Sequence, residues 1–415
     1  MTTLLFVGGA GHGALGSAVA ALALSQARDR GIGTHLLADR ASLAASSAVA
    51  ALADDATELD FTDAPDCVAW ATDQARRGNR FDLVLGVREY AQVTVAEVAA
   101  ALGVPGNPPA AVRRVRAKDA CRAALVAAGF DQPAFRLCGT TAEAGHFLAR
   151  SRGPWVVKPR DAMGSLGVRR VEGPTELAAA VAGLPRPFLV EEFVRGREYS
   201  VEGYFRAGLP HVLAVTEKQV TAAPAFVEEG HVLPARLPAA TRAEIERQVR
   251  TALRALRLRY GLFHVELWHT AAGVVLGEVH ARPGGDWIHQ LLRHAIPGLD
   301  LFGLVYDDAL GTPRHPGVPT QAAAARYLFA PPGRVSRVDG WTRVCDHPAV
   351  LVADLLAEPG TDVVPAVESS DRAGAVVVGA NTAGEAATLA DRLASSVSFV
   401  VDARPARLAG HRPPR

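Results

Sequence analysis

The stretch Gly277-Glu278-Val279-His280-Ala281-Arg282-Pro283-Gly284-Gly285 concentrates groups that bind cations and anions. It continues the apolar run Val274-Val275-Leu276, so it reads as a strand, and alternate side chains of a strand share a face. Glu278, His280 and Arg282 then point the same way, two cation ligands beside a fixed positive charge. Upstream, Phe263-His264-Val265-Glu266-Leu267-Trp268 alternates again and puts Glu266 with His264 and Trp268, while His269 to Gly273 has the length and glycine of a hairpin turn. Antiparallel pairing would bring Glu266 close to Glu278. Carboxylates this near each other need a cation, and such oxygen ligands suit Mg²⁺ bridging substrate phosphates, with His280 opening the site to Mn²⁺. A solvated surface hairpin could show the same alternation. Against it, Pro283-Gly284-Gly285-Asp286 ends the strand and an apolar helix-like run, Trp287 to Ile296, follows at once. A helix N-terminus there offers N–H groups to an anion, and a cation site beside an anion site is what phosphoryl chemistry requires.

A second group of residues lies earlier. Trp155-Val156-Val157-Lys158-Pro159 sets a lysine at the end of a β-branched strand, and Arg160 to Val168 follows with Gly164, Ser165 and Gly167. These glycines let backbone N–H groups of a mobile loop approach phosphate oxygens, with Lys158 as the charge at its base. Each half alone would pass for an ordinary surface loop and a solvated lysine; the order strand, Lys-Pro, Gly-Ser-x-Gly, strand is more specific. Phe188 to Val194 is an apolar strand leading into Arg195-Gly196-Arg197-Glu198. Ala225 to Pro234, with Glu228 and His231, has no simple logic as helix or strand and reads as a binding loop. Lysines are few in this Arg-rich chain, so each is worth inspection.

The elements that must position these groups follow from length and patterning. A chain of 415 residues with 49% hydrophobic and 21% charged residues implies two to four domains. A formal net charge of +1 gives no support to nucleic-acid or anionic-membrane binding. Four scattered cysteines with no C-x-x-C pair suggest reduced thiols and a cytoplasmic setting. The apolar N-terminus lacks a basic n-region and is broken by glycines, so no secretion signal is expected, and no apolar run is long enough to predict a membrane span. Residues 3 to about 105 alternate strand-like and helix-like runs, the βαβ signature of a parallel sheet. Val104 to Pro109 reads as a boundary, Val112 to Ala128 as a helix, and Thr241 to Leu256 as a long helix before the hairpin. Pro- and Gly-rich residues 311–319 lead into a closing region of strands with a helix at Gly384–Leu393. Gly11-x-Gly13-x-x-Gly16, with Asp39 about the right distance on, matches the dinucleotide fingerprint. Alone it would argue for an NAD enzyme, but so tight a turn serves any βαβ unit, and cofactor binding there is the minority reading.

Together these motifs resemble the ATP-grasp superfamily, specifically its carboxylate–amine ligases of the L-amino acid ligase type, over nearly the whole chain. The resemblance implies an α/β (α+β ATP-grasp) fold: a Rossmann-like N-terminal domain (1–110), ATP-grasp lobe A (111–194), lobe B with the metal site (195–312) and a C-terminal α+β lobe (313–415). It implies that ATP is held by Lys118, Lys158, Gly164, Ser165 and Gly167, with Glu191, Glu192 and Val194 along adenine and Glu198 on the ribose. For Glu198 the bland alternative is an ion pair with Arg195 or Arg197. Mg²⁺ would sit on Glu266, Glu278 and His280, the last standing where the family usually has Asn. Glu89, Glu228, His231, Arg282 and Gly285 would bind substrate. His231 is a candidate base for the attacking amine, against a loop-locking hydrogen bond, and Arg282 would stabilise charge on the transferring groups. The implied reaction joins a small carboxylate to a small amine, both amino-acid-like, through an acyl phosphate, releasing ADP and phosphate. The alternatives are a carboxylase using bicarbonate and a non-catalytic nucleotide-binding protein. Whether the protein is a homodimer is left open.

Overall fold

The computed structural model describes residues 2–11, 13–222 and 226–402. Ala225, the first residue of the expected binding loop, lies outside them. Strands β1 (Thr3–Val7), β2 (Gly33–Ala38), β3 (Asp55–Glu58) and β4 (Leu83–Leu85) form a wholly parallel sheet in the order β3-β2-β1-β4. Leu4, Leu5, Phe6 and Val7 are fully buried, the continuous apolar run expected when helices cover both faces. At Gly16 a Cβ would meet the Gly11 carbonyl at 2.5 Å, so this glycine serves close packing of the turn against the helix Gly13–Arg28. Asp39 is also occupied locally: it caps the helix Arg40–Ala45, accepting from the Ser42 backbone at 2.8 Å and the Ser42 hydroxyl at 2.9 Å. The residues of the dinucleotide fingerprint thus have structural work to do in this βαβ unit.

Next, β5 (Phe135–Cys138), β6 (Trp155–Pro159), β7 (Arg169–Val171) and β8 (Phe188–Glu192) make an antiparallel sheet ordered β5-β8-β6-β7. The single helix expected over 112–128 is two helices, Pro109–Arg116 and Lys118–Ala127. They are separated at Ala117, whose extended backbone (φ −91°, ψ 106°) cannot continue a helix. The break makes Lys118 the first residue of the second helix, and its backbone N–H bonds the Arg160 carbonyl at 3.0 Å.

The largest sheet is antiparallel and built from β9 (Arg197–Arg206), β10 (Leu209–Val220), β11 (Glu228–Leu233), β12 (Leu262–Thr270), β13 (Gly273–His280) and β14 (Ala322–Leu328), with two later strands. A small three-stranded sheet takes β15 (Gly333–Asp339), β17 (Asp362–Val363) and β19 (Ser398–Asp402); β16 (Val350–Leu355) and β18 (Gly374–Ala380) complete the large one. Its order is β13-β12-β9-β10-β11-β14-β18-β16. The helix Ala239–Ala255 buries Ile245, Val249, Ala252 and Leu253 against the core beneath it. Alanines 322–325 of β14 are buried; Ala322 and Ala324 face the helix Ala383–Ser395, which packs Ala386, Ala387 and Ala390 against them, while Ala323 and Ala325 face the core on the other side of the sheet. None of the described helices is long and apolar enough to cross a membrane.

One buried residue of the helix Ile288–Ala295 makes the fold sensitive to pH. His289 is 1% exposed, stacks on Trp287 at 5.6 Å, and neither ring nitrogen has a partner among the described residues. Burial, aided by Arg293, holds its pKa down at about 4. The unfolded chain therefore takes up this proton first: the contribution of neutral His289 is complete above pH 6.5 and is lost as pH falls toward 4. Chemical denaturation of His289→Leu should show stability gaining on the native protein by about 3 kcal/mol across that window. A difference independent of pH would show that the buried ring is not held neutral.

Candidate functional site

The chain has only three lysines, and all three line one cleft between the small antiparallel sheet and the large one. Lys158 ends β6 and is buried. Its Nζ lies 2.7 Å from Glu191, whose other contact is Arg122 at 2.5 Å. Burial alone would raise the Glu191 pKa, but Arg122 and Lys158 outweigh it and hold it at about 2. The Glu191 side chain thus faces the two cations and fixes Lys158. Lys118 donates to the Ala162 carbonyl at 2.6 Å and lies 3.1 Å from Glu278.

Lys218, to which sequence reasoning assigned no role, holds the middle of the cleft. It stands on β10 between β9 and β11, and its Nζ is 2.9 Å from Glu266, 3.3 Å from Glu228 and 3.8 Å from Glu198. Desolvation opposes its charge, yet these three carboxylates raise its pKa well above the usual lysine range. The rarity of lysine was the available signal. Glu198 pairs with this lysine rather than with Arg195 or Arg197, the alternative raised by the sequence, and burial pushes its pKa up. Glu192 accepts from the Arg152 backbone at 2.7 Å. Val194, Phe193 and Phe226 supply an apolar wall, the two rings stacked at 5.6 Å. The loop Arg160 to Val168 closes the opposite side with Gly164, Ser165 and Leu166; Gly167 packs within it against Leu184 and Pro159.

The hairpin forms as the alternation predicts. His264 faces His280 and Val265 faces Val279; the register then slips, leaving Glu266 opposite Gly277-Glu278. Both glutamates line the cleft. Behind each stands a histidine held by a buried carboxylate. Glu202, 2% exposed, accepts from His264 Nδ1 at 2.9 Å, and Nε2 donates toward Glu266 at 3.4 Å. Burial would lower the His264 pKa, but Glu202 and Glu266 raise it to about 9. His280 repeats the pattern: Nδ1 is 2.8 Å from Glu89, and Nε2 is 3.6 Å from Glu278. Glu89 is fully buried and gathers Arg116 at 2.9 Å, His280 and Arg282, charges that offset desolvation and hold its pKa well down. Gly284 allows this close packing, since a Cβ there would lie 2.9 Å from Glu202.

At the turn after Arg282, Gly285 is followed by two non-glycine residues with left-handed backbone, Asp286 (φ 54°) and Trp287 (φ 61°). Such strain persists only where surroundings impose it. It aims Asp286 at His231 Nε2, 3.2 Å away, and at Arg372, 2.7 Å away. Arg372 also lies over the Tyr327 ring at 3.9 Å. His231 Nδ1 is buried without a hydrogen-bond partner among the described residues, so the hydrogen bonding seen there locks the ring on one side. Glu228 accepts from Ser369 and meets Lys218. Arg122, Arg116 and Glu202 also belong to the site and carried no distinguishing spacing in the sequence. Asp286 and Arg372 fall in stretches the sequence does mark, the Pro283-Gly284-Gly285-Asp286 turn and the Asp371-Arg372-Ala373-Gly374 segment that resembles the carboxylate–amine ligases, but were given no role.

Among the described residues no set of three or more His, Cys, Asp or Glu is arranged to hold a metal alone. Two adjacent carboxylates suffice, however, where phosphate oxygens and water complete a Mg²⁺ shell.

Comparison with known proteins places this geometry. Residues 151–290 match the ATP-grasp domain family, and residues 326–402 match the L-amino acid ligase C-terminal domain 2. An uncharacterized protein y4rH of Sinorhizobium fredii is 30% identical over 360 residues, covering 83% of this chain and 74% of that protein. Carnosine synthase 1 of Gallus gallus is 29% identical over 276 residues, or 61% of this chain; the match spans only 29% of that much longer protein. In three dimensions the L-amino acid ligase from Bacillus licheniformis superposes with a TM-score of 0.80 at 22% identity, over 97% of this chain and 99% of that one.

Removing Lys218 leaves three carboxylates around one buried point. Lys218→Met should lose about 3 kcal/mol of unfolding free energy at neutral pH, and the penalty should shrink as pH falls and the carboxylates take up protons. Urea titrations at pH 7.5 and 5 test this; an equal penalty at both would mean that Lys218 does not hold the cluster together.

Proposed function

The chain belongs to the ATP-grasp ligases with an L-amino acid ligase type of C-terminal domain, and from that premise we propose the reaction and the part each residue plays in it. The reaction is an ATP-dependent joining of a carboxylate to an amine. The observation that carries this reading is the gathering of all three lysines around a cleft that Glu266 and Glu278 also line; Arg282 is buried outside that lining, paired with Glu89. Polyphosphate needs several cations at once, while a carboxylate pair in the same cleft suits a divalent ion. The names of the relatives, carnosine synthase and L-amino acid ligase, support amino-acid-like substrates.

In this reading ATP lies under the loop 160–168. Adenine rests against the apolar wall near Glu192 and Val194, and the ribose is near Glu198. Lys118, Lys158 and Lys218 meet the phosphates, with Arg122 and Glu191 keeping Lys158 in place. Mg²⁺ held by Glu266 and Glu278 would neutralise the phosphate oxygens. Each of those glutamates is now paired with a lysine, so bound phosphate must take over Lys118 and Lys218 as metal takes over the carboxylates. The donor carboxylate attacks the γ-phosphorus and ADP leaves, giving an acyl phosphate. Arg282, steadied by Glu89, faces the charge that develops on the carboxyl and phosphoryl oxygens. The amine then attacks the acyl carbon, phosphate departs, and a proton must leave the nitrogen. In this reading His231, bonded to Asp286 and with no partner at Nδ1 among the described residues, would accept it. Closure of the loop excludes the water that would hydrolyse the intermediate.

His280 has the geometry a metal-ligating histidine needs: with Nδ1 turned to Glu89, a neutral ring would present Nε2 on the Glu278 side.

The reaction should yield ADP and phosphate only when both acid and amine are present, read by coupled ADP release over pairs of amino acids. Turnover with bicarbonate and no amine would move the assignment to a carboxylase, and AMP with pyrophosphate would reject the acyl phosphate. Glu278→Gln should keep the fold and lower kcat at least about 10²-fold, the scale expected for losing a charged transition-state contact. Near-normal Mg²⁺-dependent turnover would remove Glu278 from the metal site. In His280→Asn the advantage of Mn²⁺ over Mg²⁺ should fall, because imidazole is the softer ligand; an unchanged metal preference would show that His280 only supports Glu278.

A further inference from the structure

A short turn of the C-terminal region bonds to two residues that line the cleft, Gly164 and Glu228, and none of the roles above uses it. The 3₁₀ turn Ser369–Asp371 is shaped by its own reciprocal cap, with Glu368 and Asp371 each accepting from the other end of the turn. It is therefore preformed rather than moulded by the cleft. Ser369 nevertheless touches two separate parts of the site. Its backbone N–H donates to the Gly164 carbonyl at 3.1 Å, at the tip of the phosphate loop. Its hydroxyl donates to Glu228 Oε2, and the other oxygen of Glu228 lies 3.3 Å from Lys218. Arg372, three residues on, donates to the Ser369 carbonyl at 2.8 Å and to Asp286 at 2.7 Å, which anchors the turn from behind.

The base of the loop is tied to the helix Lys118–Ala127, through Lys118 to the Arg160 and Ala162 carbonyls and through Arg160 to Asp119; its tip is held less firmly. Gly164, Ser165 and Gly167 have left-handed backbone (φ 64°, 59° and 68°), and Met163 and Leu166 are 39% and 48% exposed. Apolar burial therefore holds it weakly. Among the described residues, the tip (163–166) is also tied by the Ser165 hydroxyl bond to the Phe226 carbonyl at 3.0 Å.

We propose that Ser369 is a positioning residue that links the closed phosphate loop to Glu228, so that a turn from the C-terminal region completes the nucleotide cleft. The tie runs from Gly164 through Ser369 and Glu228 to Lys218, joining the loop over the phosphates to a carboxylate on the substrate side. Loop closure and the placement of Glu228 then favour one another, and water is best excluded when both are in place. This rests on the ligase reading above.

Ser369→Ala keeps the backbone N–H and removes the hydroxyl; Ser369→Thr restores a hydroxyl. Hydrogen exchange of the loop amides 161–168 in the nucleotide-free protein should quicken about fivefold in Ser369→Ala, the scale of one hydrogen bond, and return toward the native rate in Ser369→Thr. The melting temperature should stay unchanged. Turnover of the alanine variant should show a raised KM for ATP and more ADP formed per amide. Equal loop exchange in native and alanine proteins would overturn the proposal, as would faster exchange that appears only with a lowered melting temperature. A native protein whose loop exchange does not respond to a non-hydrolysable ATP analogue with Mg²⁺ would instead overturn the nucleotide reading, independently of Ser369.

Discussion

The dominant constraint in this structure is the concentration of carboxylates in a cleft that excludes much of the solvent. Glu198, Glu228 and Glu266 converge on Lys218, Glu278 faces Lys118, and Glu191 faces Lys158 and Arg122. An isolated buried carboxylate would be neutral or destabilising. Each of these is compensated by a cation that is itself what polyphosphate would attract. The cleft is thus held together by pairings that, in the proposed reading, a bound nucleotide and metal would exchange.

That exchange depends on a second layer that does not exchange. Glu202 and Glu89 lie behind the hairpin, fully buried, and fix the rings of His264 and His280. The two rings sit 5.5 Å apart and within 30° of parallel. Glu266 and Glu278 therefore remain oriented whichever cation is in front of them. At the turn after Arg282, strain at Asp286 and Trp287 does comparable work: two left-handed residues in succession set Asp286 between His231 and Arg372.

The C-terminal lobe contributes more than coverage. Through Ser369, Arg372 and Tyr327 it contacts Gly164, Glu228 and Asp286, which come from three different parts of the chain. Because β14 pairs with β11 in the large sheet, a displacement of this lobe would be felt directly at Glu228 and His231.

The side-chain placement that is local in the chain could be read without a structure. The Lys158 loop and the Glu266–Glu278 hairpin each lie within one short stretch, and strand alternation with glycine placement decides which side chains share a face. The parallel sheet was legible for the same reason, as alternation of short apolar runs with helical ones. The helix break at Ala117 was not, because nothing in the residue types of 112–128 forbids a continuous helix; the extended backbone at Ala117 is imposed where Lys118 meets Arg160. Tertiary structure alone decided the partners of the buried charges. Glu89 is 191 residues from His280, Ser369 is 141 from Glu228, and Lys218 is 48 from Glu266. Those pairings follow from the strand order β12-β9-β10-β11 and from how three sheets meet. Residue types state that such charges need partners; only the assembled sheet order states which partner lies within 3 Å.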